Sequence, residues 1–113
     1  MDYQYGGVPM NGNFAEKILK LNEQWERTDK VIIADNIEYY LSKTYPNCET
    51  SFNAKWEKLM EITGCKKQTV YAWLNRSRDN VKVPLIKLCQ IAAAMNIDVE
   101  KFLNSENVHN IQQ

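Results

Sequence analysis

GCKKQTVYAWLN, residues 64–75, is the stretch on which the fold turns. On a helical wheel of 3.6 residues per turn, Val70, Trp73 and Leu74 share one face, and Gln68, Tyr71, Ala72 and Asn75 fall on the opposite one. The first set predicts a buried face. The second offers an amide, a phenol, a methyl group and another amide behind Lys66 and Lys67, where a plain solvated helix would be content with Lys and Glu. Gly64 is the natural left-handed stop of a preceding helix, so the spacing predicts two helices separated by a very short turn. Such a pair crosses steeply and leaves the second helix, expected over Lys66 to Arg76, proud of the surface with its N-terminus exposed.

Working outward, helices are expected almost throughout. Upstream, Trp56, Leu59, Met60 and Thr63 recur on one side of a helix from about Asn53 to Thr63. Before it, the polar loop TYPNCETS, broken by Pro46 and Asn47, ends a helix that carries Ile33, Ile37, Tyr40 and Leu41 on one face through about Lys43, with capping oxygens available from Thr28 and Asp29. Downstream, Pro84 opens LIKLCQIAAAM, apolar on most sides and so expected to be a buried central helix ending at Asn96. Asp98 is placed to cap a last short helix with Phe102 and Leu103. At the other end, Asn13 and Glu16 have the spacing of a capping box, and Phe14, Ile18, Leu21 and Trp25 form a narrow stripe on an amphipathic helix from Asn13 to about Arg27. That stripe must dock on the chain's own helices or pack on a second copy.

Composition limits what the chain can be. Its 113 residues, 44% of them hydrophobic, suffice for one compact domain with a real core and not for two. The absence of a long apolar run and of a signal-peptide pattern at MDYQYGGVPMNGN leads to the expectation of a cytoplasmic protein without membrane attachment. Cys48, Cys65 and Cys89 are odd in number and lack a C-x-x-C pair, so neither a disulfide framework nor a zinc site is expected; Cys65 and Cys89 read as small buried hydrophobes. The single His109 lies in the polar tail NSENVHNIQQ and reads as a solvated residue. No phosphate-cradling glycine loop, nucleophile–base pair or metal cluster is evident, which makes an enzyme, or a cofactor, the least expected outcome.

Charge is balanced overall and uneven along the chain. The 14 basic and 14 acidic side chains cancel, but residues 1–63 hold 7 basic against 10 acidic, and residues 64–113 hold 7 against 4. Between Lys66 and Lys82 the basic residues Lys66, Lys67, Arg76, Arg78 and Lys82 meet only Asp79. An exposed short helix with this chemistry suits the major groove of a DNA duplex. Gln matches the adjacent donor and acceptor of adenine, Lys donates to guanine, and an Ala methyl lies on that of thymine. Arg76, Arg78 and Lys82, beyond the helix, are placed for phosphates.

From about Ala34 to Leu103 the chain resembles the lambda-repressor-like, Cro and Xre family of five-helix DNA-binding domains. The resemblance rests on LMEITGCKKQTVYAWLN, with Leu59, Gly64, Gln68-Thr69-Val70 and Trp73 in the family's positions, and on VPLIKLCQIAAAMNIDVEKFL downstream. It implies a compact five-helix lambda-repressor-like helix-turn-helix domain, which joins the expectations from the residues themselves: an all-α fold with the domain over residues 29–104, an additional amphipathic helix at 13–28, a disordered tail at 1–12 and a polar tail at 105–113. It also implies Lys66, Lys67, Gln68, Tyr71 and Ala72 as the groove face, with Asn75, Arg76 and Arg78 near phosphate, in a repressor-type regulator that reads double-stranded DNA as a homodimer. The chain departs from the family pattern at Lys66, where a capping Ser or Thr is common, at Trp56, where a Gln often reaches DNA, at Met60 in place of Ala, and in its longer loop TYPNCETSFN. A protein-binding use of the same fold, as in an antirepressor or an inhibitor of a bacterial defence system, stays open as the alternative.

Overall fold

The computed structural model describes residues 12–75 and 81–104, with side chains from Phe14 onward. Within them lie five α-helices: α1 (Gly12–Arg27), α2 (Lys30–Thr44), α3 (Phe52–Thr63), α4 (Lys67–Leu74) and α5 (Leu85–Met95). Two 3-10 helices, Pro46–Glu49 and Val99–Leu103, complete an all-helical globule with no strand among the described residues. The tails and the segment holding Arg76 and Arg78 lie outside the described residues, as does His109.

Local chemistry sets most boundaries. The Asp29 carboxylate accepts from the Val31 backbone N–H at 3.3 Å and starts α2. Thr28, expected to share that role, turns the other way: its Oγ1 donates to the Gln24 carbonyl at 2.6 Å and closes the last turn of α1. Ser51 Oγ accepts from Ala54 N–H at 3.1 Å and starts α3 one residue before the expected Asn53. Gly64, at φ 74°, ends α3 in the left-handed region, and its N–H donates to Met60 O at 2.8 Å. Asn96, at φ 59°, does the same for α5, as an amide side chain tolerates better than most. α1 begins at Gly12, one residue before the expected Asn13. Asp98 sits at the head of the final 3-10 helix without a side-chain capping bond.

The core is built where these helices meet. Ile33, Ile37 and Leu41 of α2, Leu59 of α3, Val70 and Trp73 of α4, Leu88 and Ile91 of α5, and Phe102 are essentially inaccessible to solvent. Burying each such aliphatic side chain is worth roughly 1.5–3 kcal/mol. The loop after α2 contributes as well: Pro46 opens a 3-10 turn that drives Cys48 into the core, where burial pushes its thiol pKa up. Cys65 and Cys89 are only half-buried, so the thiol placed deepest is the one in the loop. The helix α5 is likewise less central than its composition predicts. Leu88, Ile91, Ala92 and Met95 face inward, whereas Ile86 is 69% exposed and Ala93 and Ala94 stand open to solvent. Alanine has little apolar area to lose and the best helix propensity, so an Ala run does not demand burial.

Long-range polar bonds tie the ends to the middle. Asn36, fully buried on α2, donates through Nδ2 to Phe102 O at 2.9 Å and Asn104 O at 3.0 Å. Its Oδ1 has no hydrogen-bond partner among the described residues. The C-terminal half of α1 docks on the same globule through Leu21 and Trp25, and the indole N–H of Trp25 donates to Val83 O at 2.7 Å. Phe14 and Ile18, nearer the start of α1, keep 41% and 43% of their surface exposed. No helix among the described residues is long and apolar enough to cross a membrane.

Candidate functional site

The α3–α4 unit carries the exposed chemistry, and three bonds fix its turn. Thr63 Oγ1 donates back to Leu59 O at 2.7 Å and accepts from Cys65 N–H at 3.3 Å, while the left-handed Gly64 reverses the chain. The Lys87 ammonium, from α5, donates to Thr63 O at 3.3 Å and so satisfies a carbonyl at the end of α3. The far end of α4 is held in the same way: Lys30, the first residue of α2, donates to Asn75 O at 2.6 Å. A cation at each helix C-terminus also complements the negative end of its dipole. Both ties join residues far apart in sequence, so no local pattern announces them.

Held in this way, α4 divides as the wheel predicts. Val70, Trp73 and Leu74 are buried, and Lys66, Lys67, Gln68 and Thr69 are exposed together with Tyr71. Ala72 and Asn75 are half-buried at the margin. The helix is shorter than expected, because it ends at Leu74 and Asn75 is its extended C-cap. At its head, Lys66 provides no side-chain cap.

Lys82 lies elsewhere. Its ammonium stands 4.5 Å from the Trp25 ring centroid and donates to Glu26 O at 3.2 Å, which makes it part of the seat of α1. Burial lowers its pKa, and the carboxylates of Asp29 and Glu26 offset part of that shift. Lys82, expected near phosphate, thus also has an intramolecular use in seating α1. Arg76 and Arg78, the other phosphate candidates, fall outside the described residues.

An aromatic cluster beside α4 was not singled out in the sequence. Phe52 and Trp56, four residues apart on α3, stack with centroids 6.4 Å apart, and Trp56 meets Tyr71 of α4 edge-on at 5.3 Å. With Leu74 and Asn75 they line an open cleft of about 340 Å³. Lys67 leans back over Trp56 at 5.1 Å, and Lys55 sits over Phe52 at 4.8 Å. Lys55 is mostly buried, and Glu38 lies 3.8 Å from its ammonium. The signal available in the sequence was the i, i+4 spacing of Phe52 and Trp56.

Among the described residues no group of His, Cys, Asp and Glu side chains could hold a metal ion. Comparison with protein-family models, with curated proteins and with solved structures finds no match to this chain.

Proposed function

We propose that the chain is a lambda-repressor-like helix-turn-helix domain that binds double-stranded DNA sequence-specifically, as a repressor-type regulator acting as a homodimer in the cytoplasm. The observation that carries this reading is the α3–α4 unit: a short helix, braced at its C-cap carbonyl by Lys30, presents Lys66, Lys67, Gln68 and Tyr71 to solvent. A braced helix of that width fits a major groove about 12 Å across. Gln68 then reads adenine, Lys66 and Lys67 read guanine, and Tyr71 and Ala72 supply apolar contact to thymine methyls. The uncapped head of α4, Asn75, Arg76 and Arg78 approach phosphates. One such helix reads too few base pairs to select a genomic site, which favours two copies on half-sites roughly 34 Å apart.

Selection of bound sequences from random duplex DNA, followed by affinity measurement across a salt series, tests the reading. Binding is expected to weaken steeply as salt rises. Gln68→Ala and Lys67→Ala should cost about 1–3 kcal/mol and relax base preference, whereas Arg78→Ala should weaken all sequences alike. No enriched sequence and no salt slope would end the DNA reading; a solution mass of one chain, both free and on a palindromic site, would end the dimer.

A further inference from the structure

We propose that the cleft between α3 and α4 is a docking site for an acidic segment of a partner protein, which inserts one large apolar side chain between Phe52, Trp56 and Tyr71. Phe52 is 57% exposed and Tyr71 46%, an unusual outlay of ring surface at positions where helix formation does not require it. The start of α3 is already secured by Ser51, and α4 is anchored by Val70, Trp73 and Leu74 on its other face. The cleft, at about 340 Å³, is large enough for a Trp, Phe or Leu side chain and part of its backbone.

Its electrostatics select the sign of the partner. Among the described residues, none that lines the cleft carries a carboxylate, Lys67 stands over the Trp56 ring, and Lys66 is exposed next to it in sequence. Lys55 stands over the Phe52 ring at 4.8 Å, with its charge partly answered by Glu38. An apolar floor with a cationic wall complements an apolar anchor flanked by Asp or Glu. A DNA duplex matches the wall and not the floor, because its major groove offers only thymine methyls as apolar surface, too little to fill a three-ring cleft. Lys67 and Tyr71 belong both to the cleft and to the outward face of α4. An acidic segment seated there therefore excludes any duplex that α4 would read.

A displayed random-peptide library panned against the full chain tests the proposal, with the enriched peptides remeasured by fluorescence anisotropy on Phe52→Ala and Trp56→Ala. The expected consensus is one large apolar residue with acidic neighbours, and affinity should fall about tenfold or more in either variant. Phe52 contacts the solvent side of α3, so Phe52→Ala keeps the fold and a parental melting profile should verify this. Lys67→Glu should weaken the same peptides and flatten their loss of affinity when salt is added. Three results would overturn the proposal: no enriched peptide, enriched peptides that bind Phe52→Ala as well as they bind the parent, or a tenfold loss of duplex affinity in Phe52→Ala without competition by any peptide. The last would assign the cleft to DNA.

Discussion

Replacing Asn36 by Asp exchanges one nitrogen for one oxygen and should make stability depend on pH in a way that the parent's does not. In the parent the Nδ2 group donates two bonds, to carbonyls 2.9 and 3.0 Å away, from a fully buried position. A neutral Asp keeps one donor and leaves the other carbonyl unpaired, a loss of about 1–3 kcal/mol. An ionised Asp keeps none and sets a negative oxygen against two carbonyl oxygens. Buried carboxyls resist this by raising their pKa by up to roughly 3–5 units, each worth about 1.4 kcal/mol. The sign follows. With the folded pKa raised above the unfolded value of about 3.9, the ionisation penalty is absent below that value, grows as pH climbs towards the folded pKa, and is constant above it. The destabilisation relative to the parent should therefore be about 1–3 kcal/mol near pH 4 and about 4 kcal/mol more near pH 8, enough to unfold a domain of ordinary stability. Urea unfolding followed by far-UV circular dichroism, with parent and variant measured at each pH, gives the difference directly. Asn36→Leu serves as the control whose cost does not change with pH. A variant equally destabilised at both pH values would show that water reaches residue 36 and that the clamp on the C-terminal segment is not as described.

Trp73→Ala should cost about 3–5 kcal/mol and Leu88→Ala about 2–5 kcal/mol, because both side chains are buried in the core; calorimetry would show a clear drop in melting temperature, and a Trp73 variant that melts like the parent would return that residue to the surface. Gly64→Ala meets no atom within 4 Å of its added Cβ, so only the backbone conformation at φ 74° opposes it, and a loss of about 1–2 kcal/mol is expected in chemical unfolding. A larger loss would point to crowding at the turn. Trp25→Phe keeps most of the ring and removes the bond to Val83, for a cost of about 0.5–1.5 kcal/mol, while Trp25→Ala should release α1 and lower the melting temperature without changing the solution mass. A change of mass on Trp25→Ala would mean that this residue serves assembly rather than docking within the chain.

The helical pattern of the centre was legible because each decisive residue acts locally. Gly64 stops α3 through its own dihedral angle, and Val70, Trp73 and Leu74 lie within one turn and a half of each other, so a wheel places them correctly. Where the structure departs from the local pattern, a competing bond or distant packing decided between options that the sequence leaves equal. Thr28 could cap forward or backward, and the start of α2 went to Asp29. The contact of Lys82 with Trp25 was not legible locally, because that ring lies 57 positions earlier and belongs to a helix whose docking site no local pattern specifies. The loop TYPNCETS concealed a 3-10 turn because the burial of Cys48 depends on what α3 leaves uncovered. The aromatic cleft escaped for a similar reason. The local pattern places Phe52 in the loop before α3, and only the start of that helix at Phe52 brings its ring onto Trp56.

The clamp of Asn36 on Phe102 closes a separation of 66 residues, and the bond from Trp25 to Val83 closes one of 58, whereas the turn between α3 and α4 is tied across only two. Loop closure becomes costlier as the span grows, so the order of assembly runs outward. The central turn forms first, and both ends of the chain fasten onto a globule that already exists. The same asymmetry sets how the native protein opens. α1 meets the core only through half-buried side chains and one indole bond, whereas the final 3-10 helix is anchored by Phe102, Leu103 and two bonds from Asn36, so both detach as partial openings below global unfolding and α1 the more readily. Native-state hydrogen exchange should then resolve three tiers of amide protection: slowest in α3 and α4, intermediate in the C-terminal 3-10 helix, and fastest in the first turns of α1.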